Sequence, residues 1–138
     1  MRTATMTPFM PAVLAACGMP SLMHGVETVG PKHGITASKV YQLAGINVNQ
    51  MPEEAGQILV EHGWAYLDQA NYAPTLFALN DLRDRIVKRT ALTTLERLLM
   101  PLRAKKTNLV LGYVHKAYPS IYAGIAAAAG YDLSLIHI

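Results

Sequence analysis

Between Pro52 and Gln69 a helix signal runs straight into a strand signal, with one glycine between them. In "PEEAGQILVEHG", Pro52 suits the first helical position. Glu53 and Glu54 favour the positive end of the helix dipole, and His62 favours the negative end. Gly63 can stop such a helix, and "WAYLDQ" follows as a strand. The rest of the chain repeats this alternation. Pro8 to Cys17 predicts a short helix, with Thr7 as N-cap and Gly18 as the stop. "PSLMHG" then predicts a short buried strand ending at Gly25. Thr36 is placed to cap "ASKVYQLAG", where Val40, Leu43 and Ala44 form an apolar stripe and Gly45 ends the helix.

Further on, Leu76, Leu79, Leu82, Ile86, Leu95, Leu98 and Leu99 keep helical spacing, predicting two helices with a break near Arg89 to Thr93. "TNLVLGYV" is the clearest strand, and "PSIYAGIAAAAG" the clearest closing helix, its alanines allowing close approach to a sheet. Strands alternating with helices predict an α/β fold, a largely parallel sheet with covering helices. The 138 residues fit one domain, without internal repeats, low-complexity segments or charged linkers.

Hydrophobic residues make up 51% of the chain and charged ones only 15%. That balance suits a well-buried α/β core, or a piece whose missing partner covers its apolar faces. The N-terminal stretch has a basic residue and small apolar ones, as a signal peptide would, but Pro8 and Pro11 interrupt it. A buried helix is the preferred reading. No run approaches the roughly 20 apolar residues that span a bilayer, so no membrane partner is expected. Cys17, the single cysteine, cannot form an intramolecular disulfide; it supports a reducing, cytoplasmic location and reads as a small core residue.

Positive charge is uneven. Eight of the twelve Lys and Arg residues lie between Arg83 and Lys106, with only Asp81, Asp84 and Glu96 nearby. Such a field suits a phosphorylated small molecule or a nucleic-acid backbone (DNA or RNA), and equally a solvated helix face.

The stretch "VETVGPKHGITASK" collects polar and small residues in an otherwise apolar chain. Gly30 and Gly34 permit close approach of a ligand to the main chain, Lys32 supplies a mobile charge, and Thr36 and Ser38 sit at a helix start. These are the ingredients of a phosphate or diphosphate site. They also suit an ordinary strand-to-helix turn, since "GPKHG" fits neither the Walker A nor the dinucleotide spacing. His24 and His33 flank the loop, either as ligand contacts or as structural hydrogen-bonding groups. One cysteine and no H-x-x-x-H pair argue against structural zinc, and no G-x-S-x-G nucleophile motif is present.

The succession "PFMPAVLAACGMPSLMHG", "GPKHGITASKVYQLAGINV", "YAPTLFALNDLR", "RTALTTLERLLMPL" and "LVLGYVHKAYPSIYAGIAAAAGYD" resembles the anthranilate phosphoribosyltransferase family, closest to its divergent glycosyltransferase-like branch, from Thr7 to Asp132. In that family a strand ends in Lys-His-Gly-Asn. Met23, His24, Gly25 and Val26 fall there, so histidine and glycine match while lysine and asparagine are replaced. Lys32 and Gly34 match the following loop, and Gly45 the helix end. The family's R-T-x-x-N-x-L-G-P-L pattern falls on Thr93 to Leu102, where Thr94, Leu99, Pro101 and Leu102 match and Arg97 stands for asparagine.

The resemblance implies a fragment of the large domain of a nucleoside phosphorylase/phosphoribosyltransferase-like fold. It implies a phosphoribosyl diphosphate-type ligand held with magnesium, and a homodimer at full length. Lys32, with the helix start at Thr36, would grip the diphosphate; His24 and Gly25 would lie near the acceptor. Arg85, Lys88 or Arg89 would meet an acidic acceptor or a phosphate. The family's glycine-rich diphosphate loop is expected upstream of this chain and its magnesium-holding acids downstream, so residues 1–132 read as a partial domain not expected to catalyse alone. The same branch includes basic, nucleic-acid-binding members, which keeps a non-catalytic alternative open. Residues 133–138, "LSLIHI", read as a foreign tail resembling translated adapter sequence, or as a native apolar strand.

Overall fold

A computed structural model describes residues 6–28, 34–86, 91–113 and 116–137. The chain forms two compact units, residues 1–88 and 89–138.

The first unit opens with a 3-10 turn at Thr7–Phe9 that runs into α1, Met10–Ala16. Met6 and Phe9, rather than the predicted Thr7, hold the N-cap positions, and prolines start both turns. Cys17 is exposed rather than buried, since it lies past the end of α1 where the chain turns through Gly18 at φ 78°. Strand β1, Ser21–Gly25, pairs in parallel with β2, Trp64–Asp68. Between them run α2, Ala37–Leu43, and α3, Pro52–His62.

The pleat of β2 sends alternate side chains to opposite faces. Tyr66 packs with Tyr41, Val48, Met23 and Trp64 on one face. Ala65 and Leu67 pack with Ala55, Leu22, Ile58 and Leu59 on the other. Each face is thus covered by one crossover helix. A fully buried leucine such as Leu67 contributes about 1.5–3 kcal/mol by leaving water.

α3 matches its sequence signals residue for residue. Glu54 accepts a hydrogen bond from the Met51 N–H at 3.0 Å, and Gly63 ends the helix at φ 77°. In α2 the expected stripe is displaced. Ser38 and Tyr41 face inward, whereas Leu43 is 89% exposed. The Tyr41 hydroxyl donates to the buried Pro8 carbonyl, which turns that side of α2 toward the first turn of the chain.

Beyond β2 lie three short helices, α4 (Gln69–Tyr72), α5 (Pro74–Phe77) and α6 (Asn80–Ile86). One long predicted helix is therefore already divided at Ala78 and Leu79. Here too the face differs from the apolar spacing: Arg83 is buried, while Leu79, Leu82 and Ile86 are exposed.

In the second unit α7, Leu92–Leu98, and α8, Tyr118–Ala128, accompany β3, Asn108–Gly112. Leu98, Leu109, Tyr122 and Ala126 make its core. Ala126 has no exposed surface, the close helix approach that the alanine run predicts. The segment with two open readings contributes β4, Leu133–His137, parallel to β3. Arg103 donates to the Ala129 carbonyl at 3.3 Å, and Tyr131 to the Leu99 carbonyl at 2.7 Å. Both strand pairs are parallel and helix-covered, as an α/β chain requires.

Candidate functional site

In parallel α/β architecture, polar groups that serve a ligand gather beyond the carboxyl ends of the strands. In the first unit those ends are His24 and Gly25 on β1, with Leu67 and Asp68 opposite them on β2. His24 Nδ1 lies 2.7 Å from the Tyr72 hydroxyl, and the two rings meet edge to face at 5.6 Å. Burial lowers the His24 pKa from 6.5 to about 4, because a charged imidazole would lose its hydration there. At neutral pH the ring is uncharged.

Asp68 caps α4, one oxygen accepting from the Ala70 N–H at 3.0 Å. Its other oxygen faces the Tyr66 hydroxyl at 3.4 Å. Burial raises the Asp68 pKa, with Ala70 and Tyr66 pulling it down and the negative charge of Glu27 pushing it up. Burial, followed by the Asp68 charge, raises the Tyr66 pKa well above its ordinary value, so its hydroxyl remains a donor. Gly25 borders the same group: a side-chain carbon there would meet the Tyr66 hydroxyl at 3.6 Å, an ordinary contact.

The loop that follows β1 is fastened at both ends. Thr36 Oγ1 donates to the Glu27 carbonyl at 2.9 Å and accepts from the Lys39 N–H at 3.3 Å. Thr36 is the N-cap of α2, as its position predicts, but its hydroxyl is occupied by these two bonds. Lys32 lies outside the described residues, and Gly34 is exposed. Arg85 is exposed on the last turn of α6, while Lys88 and Arg89 lie outside the described residues. Of the expected site residues, the structure brings His24 and Gly25 together. Arg83 is buried, which takes one charge of the basic stretch out of solvent, while Arg103 stays exposed and donates to the end of α8.

Sequence reading missed Asp68, Tyr66 and Tyr72. Asp68 carried a usable signal, an acid at the end of an apolar strand and just before a helix. Tyr72 carried none, since 48 positions separate it from His24. The replaced positions of the strand-end motif are now explained locally. Met23 packs against the Tyr41–Tyr66 cluster, and Val26 is 7% exposed, so both serve the core.

A cavity of about 400 Å³ lies toward the other end of β2, lined by Ile46, Gln50, Ile58, His62, Trp64 and Tyr66. Its polar side chains are those of Gln50, His62, Trp64 and Tyr66. Among the described residues no three His, Cys, Asp or Glu side chains come together to hold a metal ion.

The description "glycosyl transferase family, a/b domain" matches residues 2–137. The chain belongs to that family. An anthranilate phosphoribosyltransferase of Aeropyrum pernix is 27% identical over 124 residues, 90% of this chain and 35% of that protein. One from Haemophilus influenzae is 31% identical over 124 residues, with 90% and 36% covered. An uncharacterized protein of Aquifex aeolicus is 29% identical over 112 residues, with 79% and 31% covered. The chain thus spans about a third of the length of the curated relatives it matches. Among the described residues of this glycosyl transferase family chain, no helix is long and apolar enough to cross a membrane.

Proposed function

We propose that the chain is part of a phosphoribosyl- or glycosyl-transfer domain whose β1 end and following loop bind a phosphoribosyl diphosphate-type ligand. The observation that carries this reading is the strand-end group of His24, Gly25 and Asp68, from which the Lys32 loop departs. In this reading Lys32 meets the diphosphate, and Gly34 lets the loop main chain approach it. His24 and Gly25 border the acceptor. Arg85, Lys88 and Arg89 serve an acid or phosphate group of the substrates. Catalysis in such a domain is mainly positioning and electrostatics: fixed charges and dipoles hold the departing diphosphate while a nucleophile attacks the sugar carbon. Magnesium, implied by the resemblance alone, enters no step derived from these residues. The names of the relatives support a phosphorylated sugar substrate for them.

Titration with phosphoribosyl diphosphate and magnesium tests the reading. Saturable binding that Lys32→Ala weakens at least tenfold is the expected result. The nucleic-acid alternative rests on Arg85, Arg97, Lys105 and Lys106 among the exposed cations. Salt-sensitive binding of single-stranded DNA, indifferent to Lys32→Ala but lost in an Arg85→Ala/Lys88→Ala double variant, would overturn the transferase reading.

A further inference from the structure

The cavity beside the start of β2 has in its wall a buried group that the fold does not use. Gln50 stands just before α3 and is 6% exposed. It is held at two points. Its main-chain carbonyl accepts from Asn71 Nδ2 at 2.9 Å, and its side-chain Nε2 donates to the Asn47 carbonyl at 3.0 Å. The second bond settles which way the amide lies, because only the nitrogen can donate. Oε1 is then a buried acceptor with no hydrogen-bond partner among the described residues. Such groups are costly and rare in folded chains.

Gln50 also lines the cavity of about 400 Å³. That volume falls in the range of small-molecule sites, about 300–1,000 Å³. Packed elements supply the rest of the wall: Ile46 and Trp64 belong to the cluster on one face of β2, and Ile58 and Ala65 to the cluster on the other. The described lining contains no Asp, Glu, Lys or Arg.

We infer that this cavity binds a small, largely apolar molecule carrying one N–H or O–H donor, and that the donor meets Gln50 Oε1. The apolar wall takes the body of the ligand out of water. One donor answers the one acceptor of the wall that lacks a partner. A carboxylate or ammonium would lose its hydration against the same wall. Oε1 lies beneath the lining, and the broad terminal torsion of glutamine lets it turn toward a donor. The inference concerns the start of β2 and does not depend on the transfer reading, which concerns the strand ends.

Indole and 1-methylindole differ in the one donor, and each is titrated into the 138-residue chain. The Gln50 side-chain amide and the ring N–H of Trp64, the single tryptophan, report binding by NMR. Saturable shifts are expected at both, with indole bound about fivefold tighter, as one neutral hydrogen bond allows. Gln50→Met keeps the length of the side chain and removes the acceptor. It should bring indole within about twofold of 1-methylindole and leave 1-methylindole unchanged. The comparison in the parent chain decides the matter even where that variant does not fold. Absence of saturable shifts at Gln50 and Trp64 would mean that water alone serves the oxygen, and would overturn the inference. Equal affinities in the parent chain, or a folded Gln50→Met chain that keeps the preference for indole, would overturn it as well.

Discussion

Acidification should weaken the fold through His24, by an amount the folded structure sets. Burial lowers its pKa from 6.5 to about 4. Above about pH 6.5 neither the folded nor the unfolded chain protonates the ring, and nothing is lost. Below that, the unfolded chain takes up a proton that the folded chain refuses, so stability falls as pH falls. One pKa unit corresponds to about 1.4 kcal/mol, so the loss accumulates to about 3 kcal/mol by pH 4. Asp68 acts in the opposite sense: its raised pKa makes the folded chain the better proton acceptor near the ordinary carboxylate range. The comparison must therefore be a difference. Urea unfolding from pH 7.5 to 4.5 is measured for the parent chain and for His24→Gln, which keeps a polar partner beside Tyr72 without a titrating group. The parent should lose stability more steeply, approaching 1.4 kcal/mol per pH unit for one proton between about pH 6 and 4.5. Superimposed slopes, or an NMR titration of His24 with a midpoint near 6.5, would refute the reasoning.

Three further substitutions probe the frame around the site. Tyr72→Phe removes the 2.7 Å bond to His24 and leaves Nδ1 unsatisfied, costing about 1–3 kcal/mol by urea unfolding and shifting the His24 ring nitrogen resonances. Gly63→Ala places a carbon 3.1 Å from the Ala15 side chain at φ 77°, and should cost about 1–2 kcal/mol in thermal unfolding; pairing it with Ala15→Gly relieves the contact but not the backbone strain. Thr36→Val removes both bonds of the α2 cap, with an expected cost of about 1 kcal/mol and faster hydrogen exchange at the Lys39 amide.

What sequence could convey here depended on how local the cause was. The start, stop and cap of α3, the strand that follows it, and the Thr36 cap all arise within a few residues, and all were legible. The inward face of α2 was not. Its stripe of Val40, Leu43 and Ala44 looks more apolar than Ser38 and Tyr41, yet a hydroxyl reaching Pro8, 33 positions away, decides the orientation. Arg83 repeats the lesson, buried on a helix whose Leu82 and Ile86 are exposed. Of the site, His24 and Gly25 were legible through their place at a strand end. Asp68 was half-legible, as an acid between strand and helix. The His24–Tyr72 pair was invisible, because only the parallel pairing of β1 and β2 brings those positions together.

That parallel pairing also imposes an order on how the chain comes into being. Every residue of β1 faces one 43 positions later, Ser21 opposite Trp64 and Gly25 opposite Asp68. No hairpin can close such a pair; the intervening crossover has to be in place first. During synthesis from the N-terminus, His24 is made long before the strand that shelters it and the tyrosine that holds it. A nascent chain stopped before residue 64 would therefore carry a histidine still able to protonate near pH 6.5. The change to an uncharged, fixed ring is an event that marks completion of the strand pair.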